Sequence, residues 1–167
     1  LEPYVFAFRS MLVHCLWILG AWDHALTEAR AIMPELEEAE DAWDLLLLRA
    51  MEARLLAARG EARMAEPHLD WIVNKARESE VLWTRTAALL DASIARLDLG
   101  DANAAVALLI EAIDPPKAAA SQYDQMTAAV RAAIGGGDVA LADRIRDKLD
   151  ARLPEQRLPL LHHVLTT

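Results

Sequence analysis

The sequence predicts an all-α fold, an α-α superhelix of about four helical hairpins, and three observations carry that expectation. The first is a phrase that recurs four times. It reads Gly20-Ala-Trp-Asp-His-Ala25, Gly60-Glu-Ala-Arg-Met-Ala65, Gly100-Asp-Ala-Asn-Ala-Ala105 and Gly137-Asp-Val-Ala-Leu-Ala142, with the glycines 40, 40 and 37 residues apart. The second is composition: alanine supplies about a fifth of the 167 residues and helix formers dominate. Runs of β-branched residues bounded by turn residues, the usual mark of strands, are absent. The third is an amphipathic stretch, long enough for a helix of several turns, on each side of every glycine.

Within each phrase the glycine is read as the residue that ends one helix in the left-handed conformation, where a Cβ would clash. Asp101 and Asp138 follow directly, as acceptors for the free N–H groups at the next helix start. The alanine five positions on (Ala25, Ala65, Ala105, Ala142) falls near the first turn of the second helix, where a small side chain lets two antiparallel helices approach.

The first helix is expected from about Pro3 to Leu19, with proline near its start where the missing N–H costs little. The second carries Trp22, Ala25, Leu26, Ala29, Ile32 and Met33 at spacings of three and four and is expected to end near Pro34. The acidic run from Glu35 to Asp41 then crosses to the third helix. There Leu48, Met51, Leu55 and Ala58 share one face, and Arg49, Glu52 and Arg59 another. The fourth helix, starting at Arg63 or Met64, places Pro67 within or just past its first turn, and Trp71 and Ile72 continue its buried side. The fifth shows Trp83, Ala87, Leu90, Ile94 and Leu97 on one stripe. The sixth spans about Ala102 to Ile113, before Pro115-Pro116, and the seventh lies within Ala118–Ile134. The eighth carries Val139, Ala142, Ile145 and Leu149 and stops before Pro154. Residues 1–154 thus read as one repeat domain, with units around Gly20, Gly60, Gly100 and Gly137. Residues 155–167, with Leu158, Leu160, Leu161, Val164 and Leu165, read as the start of a further or capping helix. That apolar end and the initial Leu1 suggest a piece of a longer protein.

Composition excludes some classes of function. Net charge is −9, from 17 Lys+Arg against 26 Asp+Glu, which disfavours direct contact with a phosphate backbone. Residues 1–20 hold Glu2, Arg9 and His14 and lack a basic leader, so no signal peptide or membrane association is expected. The single cysteine, Cys15, allows no intrachain disulfide and fits a cytoplasmic location; it reads as an inert core thiol.

Helix–Gly–helix units with alanine at this offset resemble tetratricopeptide repeats, and Trp22 followed by Ala25 matches their pattern best. The other units carry Ala62, Ala102 and Val139 where the large residue belongs. The tryptophan and tyrosine of the family's first helix are missing, and the period of about 40 exceeds the family's usual one. This variant is similar to the degenerate repeats in sensor segments of ATP-dependent LuxR-family activators of the maltose-regulator type. The resemblance implies a protein-interaction or sensor module of a larger bacterial transcriptional or signalling regulator. Its partner would be a protein or peptide, with self-association as a further mode. The alternative is a small-molecule effector-binding domain of such a regulator.

No chemistry is expected from the chain itself. The histidines (His14, His24, His68, His162, His163) stand in separate units without metal-ligand spacing, the acidic run lacks the pattern of a calcium loop, and Gly135-Gly136-Gly137 lacks the lysine of a phosphate loop. The reading is therefore a non-enzyme without metal or cofactor. In the tetratricopeptide register the first helices line a concave groove. That register places His14, Arg54, Ile94 and Arg131 at one groove position, and Trp17, Ala57 and Leu97 at another. The resemblance thus implies a groove built from His14, Trp17, Arg54, Ile94, Leu97 and Arg131, with Arg54 and Arg131 as exposed cations for an acidic peptide or anionic effector.

Overall fold

The first six helices begin at a fixed interval of twenty residues in the computed structural model, which describes residues 2–113, 133–135 and 137–152. They are α1 (Glu2–Ile18), α2 (Trp22–Glu38), α3 (Ala42–Ala58), α4 (Ala62–Glu78), α5 (Leu82–Asp98) and α6 (Ala102–Ile113), followed by α7 (Val139–Arg152). Residues 133–135 are also helical, and every other described element is turn or coil. The segment that carries the expected seventh helix, and residues 155–167, lie outside the described residues. Each three-residue turn reverses the chain, so consecutive helices pack together, while α1, α3 and α5 also touch one another in a row.

All four phrase glycines adopt left-handed backbone, with φ of +75°, +75°, +84° and +79° at Gly20, Gly60, Gly100 and Gly137. The turns share one hydrogen-bond pattern. The Gly60 N–H donates to the Ala57 carbonyl (2.9 Å) and the Glu61 N–H to that of Leu56 (2.9 Å), as in a Schellman cap. Between α2 and α3 the same pattern recurs with Glu40 at the left-handed position (φ +54°), the Asp41 N–H bonding the Leu36 carbonyl at 2.9 Å.

Several boundaries differ from the sequence expectation for identifiable reasons. Helix α2 runs through Pro34 to Glu38. Met33 and Leu36 are buried on either side of the proline, and their packing offsets the missing backbone bond. The acidic run is therefore mostly helical: Glu35 takes Arg9 at 2.7 Å, Glu37 pairs with Arg49, and Asp41 caps α3 by accepting from the Asp44 N–H at 3.2 Å. Helix α4 starts at Ala62, so Pro67 sits beyond the first turn, held by buried Ala65, Leu69 and Ile72. Glu52, expected on a polar face, is buried and accepts from Arg30 Nε at 2.6 Å, because α3 is covered by α2 on that side. Val139 is exposed, and Leu141 takes its place in the core.

The buried side chains fall into two clusters. One joins Val13 of α1, Ala25, Ala29, Ile32, Met33 and Leu36 of α2, and Leu45 and Leu48 of α3. The other runs from Leu46 in α3 through α4, α5 and α6 to Ile145 in α7. Trp71 packs against both, with the Arg49 guanidinium 4.5 Å above its ring. The four offset alanines (Ala25, Ala65, Ala105, Ala142) are all buried, as close helix pairing requires. Helix α1 is apolar on two faces. Phe6, Val13 and Leu16 turn inward, whereas Phe8, Met11 and Cys15 are exposed, so Cys15 is not the core thiol that its apolar surroundings in sequence imply.

Candidate functional site

The Gly20 turn joins two indoles. Trp17 lies near the end of α1 and Trp22 opens α2, and the reversal between them leaves their ring centroids 6.0 Å apart at 30°. Helix α3 brings Arg54 alongside, its guanidinium carbon 5.1 Å from the Trp17 centroid, within the range of a cation–π contact. Helix α5 then supplies Asp91, whose Oδ1 accepts from Arg54 Nη1 at 3.0 Å.

These groups border a half-open cavity of about 190 Å³ lined by Trp17, Trp22, Arg54, Leu55, Ala58, Ile94, Leu97 and Asp98. Trp17, Arg54, Ile94 and Leu97, which the repeat register assigns to a groove, are thus brought together on α1, α3 and α5. His14 is exposed on α1 and does not line the cavity. Arg131 lies outside the described residues. Ala57 is buried in the core, and Ala58, one position on, faces the cavity instead.

Arg54 is not the exposed cation that the register suggests. Its side chain is about a fifth accessible and its charge is balanced by Asp91, itself almost enclosed. The surroundings require this. A guanidinium set among Leu55, Ile94 and Leu97 sheds much of its water, and a carboxylate at hydrogen-bond distance offsets that loss. A guanidinium carries five N–H donors and Nη1 is used for Asp91, so Arg54 keeps donors for an occupant.

Sequence reasoning missed Trp22, Asp91 and Asp98 as parts of the site. Trp22, the large residue after Gly20, also fits the apolar stripe of α2, yet it is 46% exposed. Asp98 occupies the register position of Ala58 one unit earlier, and a carboxylate replacing alanine in an apolar stripe was the available signal. Among the described residues no group of three or more His, Cys, Asp or Glu side chains is placed to hold a metal ion, and no helix is long and apolar enough to cross a membrane.

A second aromatic pair stands at the opposite end of the first helices. Trp43 opens α3 and Trp83 lies in the first turn of α5, forty residues apart in sequence and in edge-to-face contact at 5.6 Å and 84°. Trp43 and Arg54 are three helical turns apart on α3 and share one of its faces, separated by about 16 Å at 1.5 Å per residue. Comparison with known protein families, with curated proteins and with solved structures finds no match.

Proposed function

We propose that this chain is a tetratricopeptide-like interaction module that captures an extended segment of a protein partner through one side chain seated in the Trp17–Arg54–Leu97 cavity. The observation that supports the reading most is the meeting of α1, α3 and α5 at that cavity. Two indoles and four aliphatic side chains form its walls, and Arg54 is held in one orientation by Asp91. Such a site suits an aromatic or long aliphatic side chain whose own oxygen, or the adjacent backbone carbonyl, accepts from the guanidinium. Rigid tryptophan walls and a pre-positioned arginine are the side chains from which interfaces draw most of their energy. Following the family resemblance, the module would serve a larger bacterial transcriptional or signalling regulator.

The alternative, a small-molecule effector site, draws on the contiguous tryptophan–arginine lining. Size weighs against it, since small-molecule pockets usually enclose about 300–1,000 Å³, whereas this cavity holds about 190 Å³ and is half open.

The test is an array of immobilised hexapeptides in which each position is varied through all residue types. Retention of the chain should depend on one aromatic or large aliphatic residue. It should disappear in Ala58→Trp, where a new indole on an exposed helix end fills the cavity while the helical circular-dichroism signal is unchanged. Equal retention by the variant, or retention indifferent to peptide sequence, would overturn the proposal. Arg54→Ala is a poorer probe, because it also strips the enclosed Asp91 of its guanidinium and lowers stability.

A further inference from the structure

Helix α1 presents a stripe with no counterpart elsewhere on the described surface. Val5, Phe8, Met11, Leu12, Ile18 and Leu19 are between 49% and 78% exposed, and with Cys15 among them they recur at spacings of three and four from Val5 to the residue after α1. Cys15 is exposed on the same stripe. The inner face of α1 is already used against α2 and α3 through Phe6, Val13 and Leu16. The outer stripe contains no charged side chain, and Arg9, to one side of it, is paired with Glu35. A free aromatic side chain offers about 150–250 Å² and an aliphatic one somewhat less, so these fractions leave on the order of 700 Å² of apolar surface. That exceeds the roughly 300–600 Å² patch usual on a monomer and approaches the ~800 Å² per partner of a specific interface.

We infer that two copies of this chain associate through these faces, their α1 helices antiparallel about a two-fold axis at Leu12. The register follows from the stripe itself. Val5 and Leu19 stand seven residues on either side of Leu12, so only this antiparallel alignment covers the full stripe. It also sets the largest side chain, Phe8, beside the small Cys15 of the second copy, about 1.5 Å apart along the helix axes, where a parallel pair would set Phe8 on Phe8. A patch that meets itself in this way is what a two-fold interface requires. Opposed helix dipoles favour the same direction. A lipid surface fits less well, since membrane-binding helices flank their apolar face with basic residues, whereas this chain carries a net charge of −9.

Sedimentation equilibrium of the full chain at tens of micromolar should give twice the chain mass. Phe8→Glu and Leu12→Glu, at exposed positions that the folded core does not use, should each return it to the single-chain mass with an unchanged helical signal. A wild-type chain of single mass up to several hundred micromolar overturns the inference, as does a doubled mass that survives both variants. Binding of a single-mass chain to phosphatidylglycerol vesicles assigns the face to lipid and overturns it equally. The register has its own readout. Leu12→Cys in a Cys15→Ser background should form a covalent dimer on mild oxidation. Wild-type Cys15 should not, because its symmetry mate lies about 9 Å away along the helix axes and a disulfide needs Cα atoms within about 7 Å. The reverse pattern excludes the antiparallel register.

Discussion

At Gly60 and Glu40 the same backbone turn is made by two residues of opposite suitability. Both sit at positive φ, and nothing lies within 4 Å of a Cβ built on Gly60, so backbone strain alone separates the two positions. An L-residue in the left-handed region costs roughly 1–2 kcal/mol, part of which glycine returns through its greater freedom in the unfolded chain. Gly60→Ala should therefore destabilise by about 1 kcal/mol, and Glu40→Gly should stabilise by about 0.5–1 kcal/mol. Urea midpoints of the two variants check this, and shifts of the same sign would contradict it. The pair also shows what the sequence concealed. Glycine marks the turns inside each hairpin, at 20, 60 and 100, whereas glutamate holds positions 40 and 80 between hairpins. The forty-residue period is therefore legible, but the twenty-residue spacing of helix starts is not.

At the scale of elements, alanine sets how closely paired helices approach. Ala105 near the start of α6 is fully buried, while Ala107 two residues on is exposed. Ala105→Leu should destabilise by about 1–3 kcal/mol through overpacking, as should Ala65→Leu, and Ala107→Leu should be nearly neutral. Equal melting temperatures for the three would contradict the assigned contact. Charge links elements as well. Glu111 of α6 receives Arg77 of α4 at 2.8 Å and Arg85 of α5 at 3.2 Å. The hydrogen bond from Arg77 is the main cause that holds its carboxyl below the ordinary 4.5, with the charges of both arginines adding to it. A carboxylate with a lowered pKa stabilises the fold above its ordinary pKa, and that contribution fades as pH falls through the lower folded value. Glu111→Gln should accordingly be less stable than wild type at pH 7, with the gap narrowing below pH 4.5; a gap constant down to pH 3 would count against the ion pair. Element boundaries were the least legible feature at this scale. Pro34 reads as a helix limit and Pro67 as a first-turn residue, yet α2 continues past Pro34 and Pro67 sits beyond the first turn of α4, because buried neighbours outweigh a single lost backbone bond.

For the molecule as a whole, the row of α1, α3 and α5 turns a one-dimensional repeat into a site. Register arithmetic placed Trp17, Arg54, Ile94 and Leu97 together because units that repeat every forty residues bring equivalent positions side by side. It had no means of showing that Arg54 is neutralised, since Asp91 lies outside the positions equivalent to Arg54 and pairs with it only through packing of α3 on α5. With Arg54 neutralised, the cavity is an apolar slot with one oriented donor and not a bare cation. The most direct measurement is a two-dimensional ¹H–¹⁵N spectrum of the five indole N–H groups, recorded while the chain is titrated with the hexapeptide that the array selects. The Trp17 and Trp22 resonances should shift and saturate together while that of Trp71, between the two cores, stays in place. Saturable binding that leaves Trp17 and Trp22 unmoved would contradict it.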